Sequence, residues 1–266
     1  MKKEIGEYEY FHPLITEWFK NTYNSPTDIQ KKAWPLISSG KNLLVSAPTG
    51  TGKTLTAFLW ALNQLISGVL ANGGVRVLYI SPLKALNTDI KENLLQPLQE
   101  LKQLFKKRGV EIPSIRVLTR SGDTPFNERR QMATHPPEIL ITTPESLNLI
   151  LSSPKARSML KGIKTVILDE IHAVVSDKRG VFLMSAIERL TLICGEFQRI
   201  ALSATVHPLE KVAEYVGGYK IETFEGAVHY KARPVLTVSS AAVKKIQINI
   251  EGDHFSASEV KGEDAL

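Results

Sequence analysis

From residue 42 the chain alternates between short apolar runs and longer stretches whose apolar residues recur every three or four positions. "NLLVSA" (42–47) is a continuous apolar run of the kind found in a strand buried on both faces. After the glycines that follow, Leu55, Phe58, Leu59, Leu62 and Ile66 recur at helical spacing until Gly68 stops them. "VRVLYIS" (75–81) predicts the next strand, and Leu86, Ile90 and Leu94 predict a helix after it. Pro97 should kink or split that helix, and "KKRG" (106–109) should end it with cations where the helix dipole favours them. "IRVLT" (115–119), "EILIT" (138–142), "TVILD" (165–169) and "QRIALS" (198–203) predict four more strands. Helices are expected from Thr124-Pro125, with threonine as N-cap and proline at the first helical position, and again from Thr143-Pro144. Two further helices are expected around Val181–Leu192 and from Pro208 to about Val216, the last closed by Gly217-Gly218. Six strand–helix units between 42 and about 224 predict one α/β domain, a mostly parallel sheet with helices on both faces.

The ends of the chain follow other rules. Residues 1–41 read as an N-terminal helical segment. The last forty break the rhythm: "RPVLTVSS" and "KKIQINI" are strand-like, but the polar "EGDHFSASEVKGEDAL" leads nowhere. The boundaries predicted are therefore 1–41, 42–225 and 226–266, the last read as a linker or the start of a missing second domain.

Composition narrows the class without choosing a function. The 266 residues are 43% hydrophobic and 23% charged, ordinary for a soluble globular protein. A formal net charge of +6 suits a polyanionic partner without requiring one. No run approaches 18 apolar residues, so no membrane span is expected, and "MKKEIGEYEYF" has acids where a signal peptide needs an apolar core. The single cysteine, Cys194, excludes an internal disulfide and reads as a small buried hydrophobe in a reducing compartment, which points to the cytoplasm. The histidines at 12, 135, 207, 229 and 254 are scattered without ligand spacing, so no separate metal centre is expected.

Three polar stretches change the picture, because each follows a predicted strand, where open α/β sheets bind ligands. "APTGTGKT" (47–54) lies between a strand and a helix, the context of a phosphate-binding loop, although Ala47 stands where the pattern has its first glycine. Gly50 and Gly52 let the backbone turn its N–H groups onto a phosphate. Lys53 can reach the β- and γ-phosphates, and the Thr54 hydroxyl can bind Mg²⁺. "ILDEIH" (167–172) carries two adjacent acids at the tip of a buried strand. Asp169 would hold Mg²⁺, and Glu170 would orient or deprotonate the attacking water. "LSAT" (202–205) places Ser203 and Thr205 at a third strand end, where their hydroxyls can bond those acids; alone they read as a helix-cap turn.

The order APTGTGKT, SPLKALN, TTPES, DEIH and SAT resembles the first RecA-like motor domain of superfamily 2 helicases. The wording of "SPLKALNTDI" (81–90), "RSGDT" (120–124), "ILITTPESL" (139–147), "DEIHAVVSDKRG" (169–180) and "QRIALSATV" (198–206) is similar to the large helicase-related (Lhr) family, over roughly residues 8–225. The resemblance implies a RecA-like P-loop NTPase fold, with ATP and Mg²⁺ as cofactors. An alanine commonly opens the loop in this superfamily. It also implies that Thr49 and Thr51 join Gly50, Gly52, Lys53 and Thr54 around the nucleotide, and that Gln30, in "SPTDIQ" (25–30), reads the adenine edge. An upstream aromatic, for which Phe11 is the candidate, would stack on the base. Ser81, Pro82, Lys84, Arg120, Gly122, Thr143 and Pro144 fall in motifs that grip the backbone of single-stranded DNA or RNA, although each also fits a helix cap or turn. His172, with Ser203 and Thr205, would couple the two sites; a satisfied buried histidine is the alternative.

Such motors complete their ATPase with arginines from a second RecA-like domain, and no second strand–helix series or "QxxGRxGR"-like stretch appears before Leu266. The expectation is an ATP-dependent helicase motor domain, a monomer, whose isolated form binds nucleotide but hydrolyses it poorly. DNA or an RNA–DNA hybrid in DNA repair or processing is the expected setting for the parent. Two alternatives share these motifs: a double-stranded DNA translocase that does not unwind, and a nucleotide-gated nucleic-acid-binding module.

Overall fold

The computed structural model describes residues 8–70, 73–82, 90–224 and 227–240. Two helices precede the sheet, α1 (Pro13–Tyr23) and α2 (Asp28–Ser38). Strand β1 (Asn42–Ser46) and α3 (Lys53–Ile66) follow, then β2 (Val77–Ile80) and α4 (Gln96–Lys107). Next come β3 (Val117–Arg120), α5 (Phe126–Thr134), β4 (Ile139–Thr142), α6 (Pro144–Ser152) and the short α7 (Pro154–Arg157). Strand β5 (Thr165–Leu168), α8 (Lys178–Cys194), β6 (Gln198–Ser203) and α9 (Leu209–Gly217) complete the six expected units. A hairpin, β7 (Tyr219–Phe224) and β8 (Ala227–Ala232), and a last strand, β9 (Val235–Ser239), end the described chain.

Seven strands form one sheet in the order β3-β4-β2-β5-β6-β1-β9, and every pairing in it is parallel. Alternate side chains divide the core into two layers, as the strand period of two requires. Leu43, Val45, Val77, Tyr79, Ile139, Ile141, Ile200 and Leu202 face α1 to α4. Leu44, Leu78, Ile80, Leu140, Val166, Leu168 and Ala201 face α6 to α9. Helices thus cover both faces of the sheet, as expected.

Several local expectations need correction. Pro97 does not end its helix but sits where the helix changes type: a π-helical stretch, Lys91–Leu95, passes directly into α4, whose first turn holds the proline. Thr124 does not cap α5, whose N-cap is Pro125. Its hydroxyl closes the preceding turn instead, accepting from Ser121 N at 2.9 Å, because the hydroxyl meets that nearby N–H before any helical one. Thr143 does cap α6, its side chain accepting from Ser146 N. Cys194 is half-buried near the end of α8 rather than buried, and burial pushes its thiol up to about 11.

The boundary at residue 225 falls between β7 and β8, two strands the sequence did not predict, and not at the end of the sheet. Beyond it "VLTVS" returns to the main sheet as β9, beside β1, from Asn42↔Val235 to Ser46↔Ser239. "KKIQINI" lies outside the described residues.

Candidate nucleotide and nucleic-acid sites

The parallel sheet brings the carboxyl ends of all seven strands to one edge, and the polar stretches divide along it. β1, β5 and β6 sit together in one half, and β3, β4 and β2 in the other. Loops that carry phosphate-type chemistry leave the first group; the segments at residues 81–82, 120–124 and 143–144 leave the second.

The loop after β1 explains its own alanine. Gly50 and Gly52 have φ of 78° and 85°, a left-handed backbone that suits glycine. Ala47 is not among the positive-φ residues, and its methyl is buried in the core beneath the loop. An L-residue costs nothing there. Gly52 is the N-cap of α3 and has no side chain to cap the helix, so the first-turn N–H groups stay directed at the loop. Lys53 is buried, and its Nζ donates to the carbonyls of Ala47 at 2.6 Å and Pro48 at 2.9 Å. Thr51 Oγ1 donates to Pro48 O at 2.8 Å and tightens the turn.

Thr54 and Asp169 meet across the strands. Thr54 Oγ1 lies 3.5 Å from Asp169 Oδ2. That oxygen also accepts from the Tyr79 hydroxyl at 2.5 Å, while Oδ1 accepts from Glu170 N at 2.7 Å. Burial raises the Asp169 carboxyl above its ordinary value, against the opposing pull of the Tyr79 hydroxyl. Tyr79 was not singled out from sequence, because it alternates with Leu78 and Ile80 like any strand residue. Glu170 has φ 51° and ψ 39°, a strained left-handed position for a side-chain-bearing residue. It lines a cavity of about 400 Å³ together with Thr49, Gly50, Lys53 and Thr54.

Gln30 lines the same cavity. It is buried at the start of α2, where a capping box holds it: Thr27 N donates to Gln30 Oε1 at 2.9 Å, and Gln30 N to Thr27 Oγ1 at 3.4 Å. Thr27 Oγ1 also donates to Thr51 O at 2.9 Å, tying this helix start to the phosphate-type loop. The spacing Thr27-x-x-Gln30 is a capping-box signal that would have found Thr27 in the sequence.

Phe11 is placed elsewhere. Asn63, from α3, accepts from His12 N and donates to Tyr10 O, which turns the intervening Phe11 into the core. There it packs edge-on against Trp34, with ring centroids 4.8 Å apart. The aromatic that lines the cavity is Tyr23, at the end of α1.

The acids connect to the "SAT" stretch through one residue, and not through its hydroxyls. His172 Nδ1 accepts from Ala204 N at 3.2 Å and lies 3.2 Å from Glu170 Oε2. Ser203 Oγ is buried without a hydrogen-bond partner among the described residues, and Thr205 is exposed. Strand alternation explains this for Ser203, which shares the face of Ala201 and Leu168, whereas Asp169, next after Leu168, turns to the face of Tyr79.

In the other half, Ser81, Pro82 and Arg120 are buried, and Thr143 and Pro144 open α6. Gly122 is exposed, and Arg129 organises its loop by donating to Gly122 O and Thr124 O, both at 2.6 Å. Arg179 donates to Pro82 O at 3.1 Å and pairs with Glu145, joining the ends of β2 and β4. Neither arginine was given a role from the sequence: Arg129 lies in no motif, and Arg179 falls within "DEIHAVVSDKRG" without a function of its own. Lys84 lies outside the described residues.

Residues 27–213 match the family model described as DEAD/DEAH box helicase. The "ATP-dependent helicase Lhr-Core protein 2" of Thermococcus barophilus is 44% identical over 249 residues, covering 92% of this chain and 28% of that protein. The chain therefore spans 28% of the length of this relative. A structure of Mycobacterium smegmatis helicase Lhr bound to ssDNA and AMP-PNP superposes with a TM-score of 0.78 at 46% identity, over 88% of this chain and 28% of that one. At 18% identity the DEAD-box helicase Mss116, bound to ssRNA and UDP-BeF, shares the fold, with a TM-score of 0.67 over 86% of this chain and 43% of that one.

Proposed function

The chain belongs to the DEAD/DEAH box helicase family, and from that premise we propose that it is the ATP-binding motor domain of a larger, cytoplasmic, Lhr-type ATP-dependent helicase. The observation that carries this reading is the meeting of Thr54 with Asp169 at the start of α3, beside the buried Lys53.

In this reading the uncapped N–H groups of α3 and the loop bind the nucleotide's phosphates, and Lys53 exchanges loop carbonyls for phosphate oxygens. The donor set fits Mg²⁺: Thr54, in the first turn of α3, and Asp169, just after β5, present a hydroxyl and a carboxylate to one place, and the ion would neutralise phosphate charge there. Glu170 orients or deprotonates the attacking water, and its strained backbone holds the carboxylate toward the cavity. Gln30 offers its amide to the base, and Tyr23, in place of Phe11, supplies the aromatic wall.

Nucleic acid is assigned to the half of the edge formed by β3, β4 and β2, where N–H groups at helix starts favour backbone phosphates over bases. The relative bound to ssDNA supports single strands as the ligand class. Arginines of a second RecA-like domain complete the hydrolytic site, and such groups are worth roughly 10³–10⁵ in rate. The motor domain runs through β9, the seventh strand of its sheet.

Titration of a fluorescent ADP into the 266-residue chain with Mg²⁺ tests the binding step, and ATPase assays with and without oligonucleotide test the rest. Binding without appreciable turnover is expected, and Lys53→Ala should abolish ATP hydrolysis by the full-length protein. Robust strand-stimulated turnover by this chain alone, or full activity of the Lys53→Ala full-length protein, would overturn the reading.

A further inference from the structure

The β7–β8 hairpin has two unlike faces. Its antiparallel register pairs Tyr219 with Ala232, Ile221 with Tyr230 and Thr223 with Val228. These six side chains share one face, and Tyr219, Ile221, Val228 and Tyr230 are 59%, 56%, 56% and 69% exposed. The opposite face is charged: Lys220 pairs with Lys231 and Glu222 with His229, and both lysines lie 3.7 Å from Glu222. A two-stranded ribbon is marginal in water on its own. An apolar ribbon face left to solvent marks a contact surface.

The base of this ribbon is held firmly. Arg233 N donates to Gly218 O at 3.0 Å, closing the strands, and the Arg233 guanidinium pairs with Glu188 and Glu196. The apolar face is thus presented in a set direction.

We propose that this face is covered, in the full-length protein, by an apolar surface of the same polypeptide outside these 266 residues. Three observations select that occupant. A nucleic-acid strand stacked on Tyr219 and Tyr230 would find the lysines on the wrong side of the ribbon. Six side chains offer far less than the ~800 Å² per partner of a stable free association, which disfavours a second copy. The same small face suffices in cis, where a tether holds the partner at an effective concentration of roughly millimolar. Much polypeptide is available for this role, since the chain spans 28% of its Thermococcus relative. The inference rests on family membership and not on the proposed chemistry.

Hydrogen exchange of the 266-residue chain and of the full-length protein, both without nucleotide, tests it. Amides of 219–232 should exchange at least roughly tenfold more slowly in the full-length protein. Tyr230→Glu should remove that protection while leaving the melting temperature of the 266-residue chain unchanged, and Val228→Lys should do the same. Equal exchange in the two proteins would overturn the proposal. So would protection of the 266-residue chain that rises with its concentration alongside dimers in ultracentrifugation, or protection that appears only with added oligonucleotide. Running Lys53→Ala in parallel separates the two readings, because the exchange contrast should survive whatever happens to nucleotide binding.

Discussion

Gln30 and Gly52 approach each other so closely that a β-carbon at residue 52 would lie 2.8 Å from Gln30 Nε2. Gly52 also has φ 85°, where an L-residue costs about 1–2 kcal/mol. Gly52→Ala should therefore displace the Gln30 amide and distort the loop together. Fluorescent ADP should bind at least roughly tenfold more weakly, from a loss of about 1.4 kcal/mol or more. Gly122→Ala, with nothing within 4 Å of the new methyl, should leave ADP affinity unchanged.

The bond from Ala204 N to His172 Nδ1 joins the acid-bearing loop to the end of β6. A bond of this kind contributes about 0.5–1.5 kcal/mol. His172→Ala should speed exchange of the Ala204 amide up to about tenfold, read by NMR, with little change in distant amides. An unchanged Ala204 rate would show that this bond does not hold the two segments together.

Arg199 is fully buried, and its guanidinium reaches the carbonyls of Val216 and Gly217 at the end of α9 and the carboxylate of Glu188. Removing the carboxylate leaves a buried cation with two carbonyl dipoles and the face of the Phe197 ring. Glu188→Ala should destabilise the chain by about 3 kcal/mol in chemical denaturation, the low end for a broken buried pair. Glu188→Gln should cost less, since its amide oxygen still accepts.

The hydrogen bond from Arg233 holds the Glu196 carboxyl below its ordinary 4.5. A depressed carboxyl stabilises the fold above its unfolded value and loses that contribution as pH falls through the folded one. The melting temperature of the wild-type chain should exceed that of Glu196→Gln at pH 7. The gap should close as pH falls from about 4.5 downward. A gap independent of pH would assign the effect to shape and not to charge.

A methyl at Gly180 would lie 2.1 Å from Val174 O and 2.5 Å from the Tyr215 hydroxyl. The Val174 carbonyl is backbone and cannot withdraw cheaply, so Gly180→Ala should cost about 1–3 kcal/mol, measured by denaturant midpoint.

The strands and most helices were legible because apolar runs and helical spacing are local signals. "QRIALS" became β6 residue for residue, and Thr143 caps its helix as its Thr-Pro dipeptide implied. The phosphate-type loop and its acids were legible for a related reason: each is a short motif at a strand end. What escaped depends on partners distant in sequence. Asn63 turns Phe11 inward from fifty residues away, and Tyr79 reaches Asp169 across ninety. Thr124 escaped because two local rules compete for one hydroxyl, and the turn wins. The hairpin had a signal, the period-two alternation of "YKIETF" and "AVHYKA", but it carries its apolar side outward and so resembles no core strand.

The parallel ladder between β1 and β9 gives the domain a mechanical axis. Ser46, the last residue before the phosphate-type loop, pairs with Ser239, and Ser240 N donates to Ser46 O. Tension applied to the chain at residue 240, along the strand, would load the rungs of this ladder in shear, all at once, instead of peeling them in turn. A pull on that end is thereby delivered to the root of the loop that holds Lys53.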